Sequence, residues 1–300
     1  MPPLSVSTIL PTYNDTEYLE QAIDSIVKQD TDSMVEVIIV DSSDHSQVQE
    51  IAANYGENVE YTWVEPDGVA AARNQGIDAA TGDVIGFCDA DDFWNQDKLS
   101  KQLPLLNDGY DIVYSDEYLI YDGAISYISS PPIDDYENHH IKYFREGGVG
   151  SRSVLTRKDV LDQERFDNRF SVREDPHLWT RIFADYTPAR IGEPLSYKRK
   201  RSDSLTADRD QAFKMQLLEI NDLVERYPEL EPYREERELK AKLLYAKTLI
   251  SDENRIGDAR SVLLNLLKNK KITIRLLILL FISTLPIGNR WLLKYVQNNK

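Results

Sequence analysis

The sequence predicts an α/β protein: a mostly parallel central sheet flanked by helices, followed by a C-terminal helical region. Three observations lead there. Between residues 5 and 88, short β-branched runs alternate with stretches of helical spacing, and that alternation builds a parallel sheet with helices on both sides. From Thr206 onward only helical spacing survives. The 41% of hydrophobic residues, 10% of all residues being aromatic, suffices for a proper core and removes the disordered and collagen-like classes.

Each element has its own signal. Ser5–Leu10 is a short β-rich run ending at Pro11, and Tyr18–Gln29 places Leu19, Ala22, Ile23, Ile26 and Val27 at helical spacing. Val35–Val40 is apolar and β-branched, as suits a strand covered on both faces. Val48–Tyr55 reads as helix, Val59–Val64 as strand, Val69–Ala80 as helix and Val84–Cys88 as strand. Lys98–Leu106 is predicted helical. Ile112–Tyr121 and Ala124–Ile128 are predicted strands joined by a turn at Asp122-Gly123. Pro131-Pro132 and Asp134-Asp135 mark a loop, and His139-His140 is expected in a polar, solvated stretch. Val149–Leu155 reads as strand, Asp175–Phe183 as helix and Ala189–Tyr197 as the last strand.

A chain of 300 residues fits one large domain or one domain with an appended region. The expected division is 1–205, with halves 1–95 and 96–205, then 206–300, whose tail from about 259 is basic and apolar. The lone cysteine, Cys88, excludes a disulfide framework and a multi-thiolate zinc site and favours a cytosolic address. The N-terminus lacks the basic and apolar regions of a signal peptide. The net charge of −16 argues against a duplex nucleic-acid binder, so no nucleic acid is expected as partner. The charge is unevenly spread: no Asp or Glu follows Asp258, eight Lys and Arg do, and residues 1–258 therefore carry −24. The acidic body suits salt adaptation or ordinary acidic composition, and both readings stay open.

Ligands of open parallel sheets bind at the carboxyl ends of the strands. There the chain places Pro11-Thr12-Tyr13-Asn14-Asp15, Asp41-Ser42-Ser43-Asp44 and Cys88-Asp89-Ala90-Asp91-Asp92. Asp, Ser and Thr also cap helices. For Asp44 that alternative stays open, and Asp92 is expected to cap the next segment. Three acids in four residues would repel one another, which suggests a cation at Asp89 and Asp91. Mg²⁺ and Mn²⁺ prefer carboxylate oxygens, and Mg²⁺ takes one or two of them plus substrate phosphates. Cys88 is expected as an apolar filler. His177, two residues after Asp175, is either a site residue or on a helix surface.

These segments, together with Gly68 and Ala72-Arg73-Asn74-Gln75-Gly76, then Glu174-Asp175-Pro176-His177-Leu178-Trp179 and Tyr197-Lys198-Arg199-Lys200-Arg201-Ser202-Asp203-Ser204-Leu205-Thr206, occur in order and cover about two thirds of the chain. The pattern resembles the family 2 glycosyltransferases with the GT-A fold. The resemblance implies an inverting, metal-dependent transfer of a sugar from a nucleotide-sugar, UDP being favoured and GDP possible. Pro11, Thr12, Tyr13, Asp41, Arg73, Asp89, Ala90 and Lys200 would contact the donor. Tyr13 would stack on the base, Asp41 would accept its ring N–H, and Arg73 would meet a phosphate or the Asp cluster. Asp89 would touch the ribose, and Asp91, with Asp89, would hold Mn²⁺ or Mg²⁺. Asp175 would take the acceptor's proton, with Glu174 as the alternative base. Lys198 to Arg201 would close over the diphosphate, with Lys200 where many members carry a His. Two other functions carry expectations of their own. A sugar nucleotidyltransferase would want a Gly-rich, basic first loop, and a non-catalytic carbohydrate-binding relative would be expected to lose Asp91 or the Glu174-Asp175 pair. The chain meets neither expectation.

Leu276–Ile282 is apolar throughout, but Arg275 precedes it and Pro286 follows, too short a run for a span of about 20 residues. A helix lying in the membrane interface is expected instead, with a helical cap as the alternative. That implies peripheral contact with the inner face of the cell membrane, near a lipid-linked or glycan acceptor.

Overall fold

The computed structural model describes residues 3–201, 208–268 and 273–284. The chain forms two compact units, Met1–Ser204 and Leu205–Lys300.

The first unit is built on one nine-stranded sheet. Its strands are β1 (Val6–Thr12), β2 (Val35–Asp41), β3 (Val59–Trp63), β4 (Val84–Phe87), β5 (Phe93–Trp94), β6 (Ile112–Tyr121), β7 (Ala124–Ile128), β8 (Leu155–Arg157) and β9 (Pro188–Arg199). The spatial order is β3-β2-β1-β4-β8-β6-β9-β5, with β7 paired to β6. Strands β1 to β4 pair in parallel, β8 runs antiparallel to β4 and β6, and β9 lies parallel to β6. The helices are α1 (Leu19–Val27), α2 (Gln47–Ala52), α3 (Gly68–Ala79), α4 (Lys98–Asn107), α5 (His139–Glu146), α6 (Lys158–Gln163) and α7 (Glu174–Asp185).

Alternation along the strands makes two cores. Ile9, Ile38 and Ile85 face the layer containing Ile77, Leu178 and Trp179. Their neighbours Leu10, Ile39 and Val84 face the layer containing Ile23, Val48 and Leu99. A side-chain period of two requires this division when both faces of a strand are covered.

Three predicted segments differ. The His139-His140 stretch is helix α5 with both rings buried, because Tyr143 and Phe144 of the same helix face the core and carry the histidines in with them. His139 stacks beside Tyr114 and Phe183, and burial pushes its pKa down to about 4. The Val149–Leu155 run is mostly a 3₁₀ turn, Ser151–Ser153, and the strand there begins only at Leu155. His177 is not at the helix surface: it is buried and stacked on Phe170 at 4.5 Å.

The second unit is helical: α8 (Arg209–Arg226), α9 (Arg234–Ile250), α10 (Ile256–Lys268) and α11 (Ile274–Thr284). Its core joins Leu243, Ala246 and Leu249 to Leu263, Leu266, Leu276, Leu279 and Ile282. The Phe213 and Tyr245 rings stack at 4.3 Å, and Arg237 pairs with buried Glu219 at 3.1 Å. Among the described residues no helix is long and apolar enough to cross a membrane. The expected tail beyond Thr284 and the Ser202–Thr206 end of the last motif lie outside the described residues.

Candidate active site

The carboxyl ends of β1, β2 and β4 lie side by side in the sheet, with Thr12 opposite Asp41 in register. The polar segments predicted at these ends are therefore brought together. At the β1 and β2 ends, the Asn14 amide donates to Ser43 Oγ at 2.8 Å, and the Asp44 amide donates to Asn14 Oδ1 at 3.2 Å. Asn14 has φ 52°, a left-handed conformation that Asn tolerates better than most residues. Pro11 and Thr12 are buried, and Thr12 Oγ1 donates to the Asp15 carbonyl at 3.2 Å. Tyr13 beside them is 59% exposed, so its ring is open to a ligand.

Asp41 is enclosed by protein partners. It has no exposed surface: Oδ1 accepts from the Ser43 amide at 2.9 Å and Oδ2 from the Tyr61 hydroxyl at 3.0 Å. Asp41 fixes the loop that carries Ser43. Sequence reasoning missed Trp63, at the end of β3, which is 49% exposed and whose Nε1 donates to the Ser43 carbonyl at 2.9 Å. A tryptophan at a strand's carboxyl end was the available signal.

The turn after β4 closes with the Asp92 amide donating to the Asp89 carbonyl at 3.0 Å, with Ala90 buried inside it. The three acids of this turn have different environments. Asp92 is buried, ion-paired with Arg152 Nε, and accepts from the Arg199 amide at 2.7 Å. It is a structural anchor and not the expected cap. Asp89 accepts from Arg73 Nη2 at 2.8 Å, and its other oxygen lies 3.9 Å from Arg152 Nη2. Burial works to raise its pKa, but the charges of Arg73 and Arg152 hold it below the usual carboxylate range. Asp91 is half-buried and has no ion pair among the described residues. Burial, then the charges of Asp89 and Asp15, push its pKa up to about 6.

Helix α3 brings Arg73 to this turn. Gly76 lets the helix pack directly on Ile9 of β1, where any Cβ would collide with the Ile9 side chain. Asn74 holds the loop after α6 by two bonds to the Phe166 backbone, at 2.9 and 3.1 Å. The Arg73 guanidinium lies over the Phe166 ring at 5.3 Å. It donates to Asp89 and, through Nη1, to Glu174 Oε1 at 2.6 Å. Of the two partners expected for Arg73, the structure supplies the acids.

The start of α7 carries a second pair of acids. Arg173, with φ 76°, holds the chain in a left-handed turn just before them, a strained conformation of the sort that persists where surroundings enforce it. Glu174 is buried and bound to Arg73. Asp175 is half-buried and has no ion pair among the described residues. Burial and the Glu174 charge raise its pKa to about 7, against the opposing charges of Arg73, Arg173 and Lys198.

The basic run after Tyr197 divides. Arg199 lies in β9, donates to the Asp91 carbonyl at 2.6 Å and sits over the Tyr18 ring at 3.9 Å. Arg201 binds both oxygens of Asp15 at 2.9 Å. The Lys200 ammonium lies 4.7 Å from the Tyr121 ring, and its backbone amide continues the sheet by donating to the Ile120 carbonyl at 3.0 Å. Lys198 acts electrostatically on Asp175, and Arg201 on Asp91. Cys88 is buried, and burial pushes its thiol well up, as an apolar filler requires. Sequence reasoning also missed Arg152, which is buried among Asp92, Glu117 and Asp89. Its signal was weak, a single charge inside a run that read as strand.

A family model described as glycosyl transferase family 2 matches residues 7–163. This chain belongs to glycosyl transferase family 2. The family 2 chain is 31% identical over 196 residues to the amylovoran biosynthesis glycosyltransferase AmsB of Erwinia amylovora, covering 60% of this chain and 64% of AmsB. It is 27% identical over 227 residues to the UDP-Glc:alpha-D-GlcNAc-diphosphoundecaprenol beta-1,3-glucosyltransferase WfgD of Escherichia coli, covering 73% of this chain and 87% of WfgD. The chain spans less than two thirds of the length of several curated relatives, between 64% and 32%. Among solved structures it resembles the mannosyltransferase PcManGT from Pyrobaculum calidifontis in complex with GDP-Man and Mn²⁺, with a TM-score of 0.58 and 17% identity over 92% of this chain and 78% of that one. That likeness is one of fold, and the architecture is the GT-A fold.

Proposed function

We propose that this family 2 chain is an inverting, metal-dependent glycosyltransferase. It moves a sugar from a nucleotide-sugar to a hydroxyl of a lipid-linked or glycan acceptor in polysaccharide assembly. One observation carries the reading: of the neighbouring acids Asp91-Asp92 and Glu174-Asp175, one member of each pair is held by a buried arginine, and the other has no ion pair among the described residues.

Asp175 is the general base. A base works best with a pKa near the working pH, and about 7 meets that condition. Glu174 is held by Arg73 and so positions the helix start without taking part in proton transfer. Asp175 takes the acceptor's hydroxyl proton as that oxygen attacks the anomeric carbon. The bond to the nucleotide diphosphate breaks on the opposite side, so the anomeric configuration inverts.

Asp91, supported by Asp89, fits a divalent cation: a carboxylate crowded by burial and two like charges is stabilised in its ionised form by a nearby cation. Bound there, Mn²⁺ or Mg²⁺ would offset charge on the departing diphosphate. Tyr13 offers its ring face to the base, with Pro11 and Thr12 beneath it. The names of two similar proteins include UDP-Glc and GDP-Man, and UDP is favoured because WfgD matches this chain in sequence over 73% of its length. The lipid-linked acceptor follows from WfgD as well, and with it a peripheral place at the cytoplasmic face of the membrane.

Nucleotide release from UDP-glucose, UDP-N-acetylglucosamine and GDP-mannose, with Mn²⁺, Mg²⁺ or chelator, tests the reading. Release from at least one donor, abolished by chelator, is expected. Proton NMR coupling of the product's anomeric carbon should show inversion, and retention would refute the displacement.

A further inference from the structure

Helix α11 is apolar almost all round, yet among the described residues only one side of it is covered. Leu276, Leu279 and Ile282 are buried against α9 and α10. Ile274, Leu277, Ile278 and Phe281 are 77%, 51%, 36% and 62% exposed. Their spacing of three, four and seven residues puts them on one face, a stripe of large apolar side chains that a helix in water does not ordinarily display. Arg275 lies beside the stripe and is exposed, as is Lys268 at the end of α10.

We propose that the Ile274–Phe281 stripe is a membrane-docking face that inserts into the headgroup layer of an anionic bilayer. Charge decides the partner. The chain beyond Asp258 has no acid and eight bases, against −24 on the residues before it. A neutral or acidic protein surface would not need such a concentration of positive charge in the sequence that carries the apolar stripe. An anionic lipid surface attracts basic residues and accepts apolar side chains a few ångströms deeper, which are the two features α11 offers together. Helix α11 is too short to span, so it lies in the interface. This deepens the membrane part of the function proposed above and does not depend on sugar transfer.

The test uses the full chain and vesicles of phosphatidylcholine with or without one third phosphatidylglycerol. The wild type should co-sediment with the anionic vesicles, several-fold less with neutral ones, and less again in high salt. The L277D/F281D variant should lose about tenfold or more of that partition. It should also keep its circular dichroism spectrum, because both side chains are exposed, and its nucleotide release with a water-soluble acceptor. A second probe guards against misfolding: F281C carrying an environment-sensitive fluorophore should shift to the blue on adding anionic vesicles. Labelling is selective because Cys88 is buried. Unchanged partition of L277D/F281D, or no fluorescence shift, overturns the proposal. So does a wild type that ignores vesicles, whether the stripe is then found covered by residues 285–300 or by a second copy that L277D/F281D releases in light scattering. Failure of sugar transfer alone, with partition intact, would instead count against the catalytic reading.

Discussion

The turn after β4 and the start of α7 solve the same electrostatic problem in the same way. Each presents two adjacent acids near the carboxyl edge of the sheet. In each, a buried arginine takes one acid, Arg152 holding Asp92 and Arg73 holding Glu174. The other acid stays half-buried and unpaired, with its pKa raised to about 6 at Asp91 and about 7 at Asp175. The paired acids are held in place by arginines, and on the proposed function the unpaired ones bind the cation and the proton. What differs is the neighbourhood. Asp91 has two carboxylates beside it, Asp89 and Asp15, each also paired with an arginine, Arg73 and Arg201. Asp175 faces Glu174, already neutralised by Arg73, together with the charges of Arg173 and Lys198, a setting for a group that exchanges one proton.

The largest expected effect separates the two acids of α7. D175N should lower kcat by roughly 10²–10⁴-fold while leaving the donor KM nearly unchanged, as loss of a general base requires; steady-state nucleotide release measures it. The turn after β4 is separated next. R152M leaves Asp92 and Glu117 buried without their partner, and should destabilise the fold by about 3–5 kcal/mol in urea melts. D91N should instead fold normally and weaken Mn²⁺ binding by roughly tenfold or more, read from the free-ion EPR signal. Equal destabilisation by R152M and D91N would erase the distinction between anchor and ligand.

The smallest effect is on stability and has an unusual sign. A carboxylate whose folded pKa is raised binds more protons folded than unfolded, so its ionisation costs stability as pH climbs from about 4 towards the folded value. For Asp175 that window closes near pH 7. D175N should therefore unfold later than the wild type at pH 8, by on the order of 1 kcal/mol after allowing for partial solvation, and should show no gain at pH 4. Thermal melts at the two pH values check this.

Much of this arrangement is legible in the sequence. The β-branched runs locate β1 to β4 to within about two residues, because strands of a parallel sheet covered by helices read as short, largely apolar, β-branched runs. The strand-end acids announce the site, since so many carboxylates in one turn need a purpose. What local pattern does not show is which acids are paired. Arg73 lies 101 residues from Glu174 and Arg152 lies 60 from Asp92, so only the fold brings them together. The same holds for Asp41, whose sealing by Tyr61 comes from the neighbouring strand. It holds for Lys200, whose ring partner sits at the end of β6. The His139-His140 pair was misread because polar neighbours outweighed Tyr143 and Phe144, which set the buried face of α5.

The most direct test of the division between paired and unpaired acids is the pH dependence of kcat/KM in the wild type, E174Q and D175N. The wild type should lose activity below a pKa near 7, where Asp175 takes up its proton. E174Q removes a like charge from beside Asp175 and leaves Arg73 closer to unopposed, so the same limb should move to lower pH and the plateau should persist. D175N should lose both the plateau and the limb. A limb that survives in D175N and vanishes in E174Q would make Glu174 the base and contradict the account.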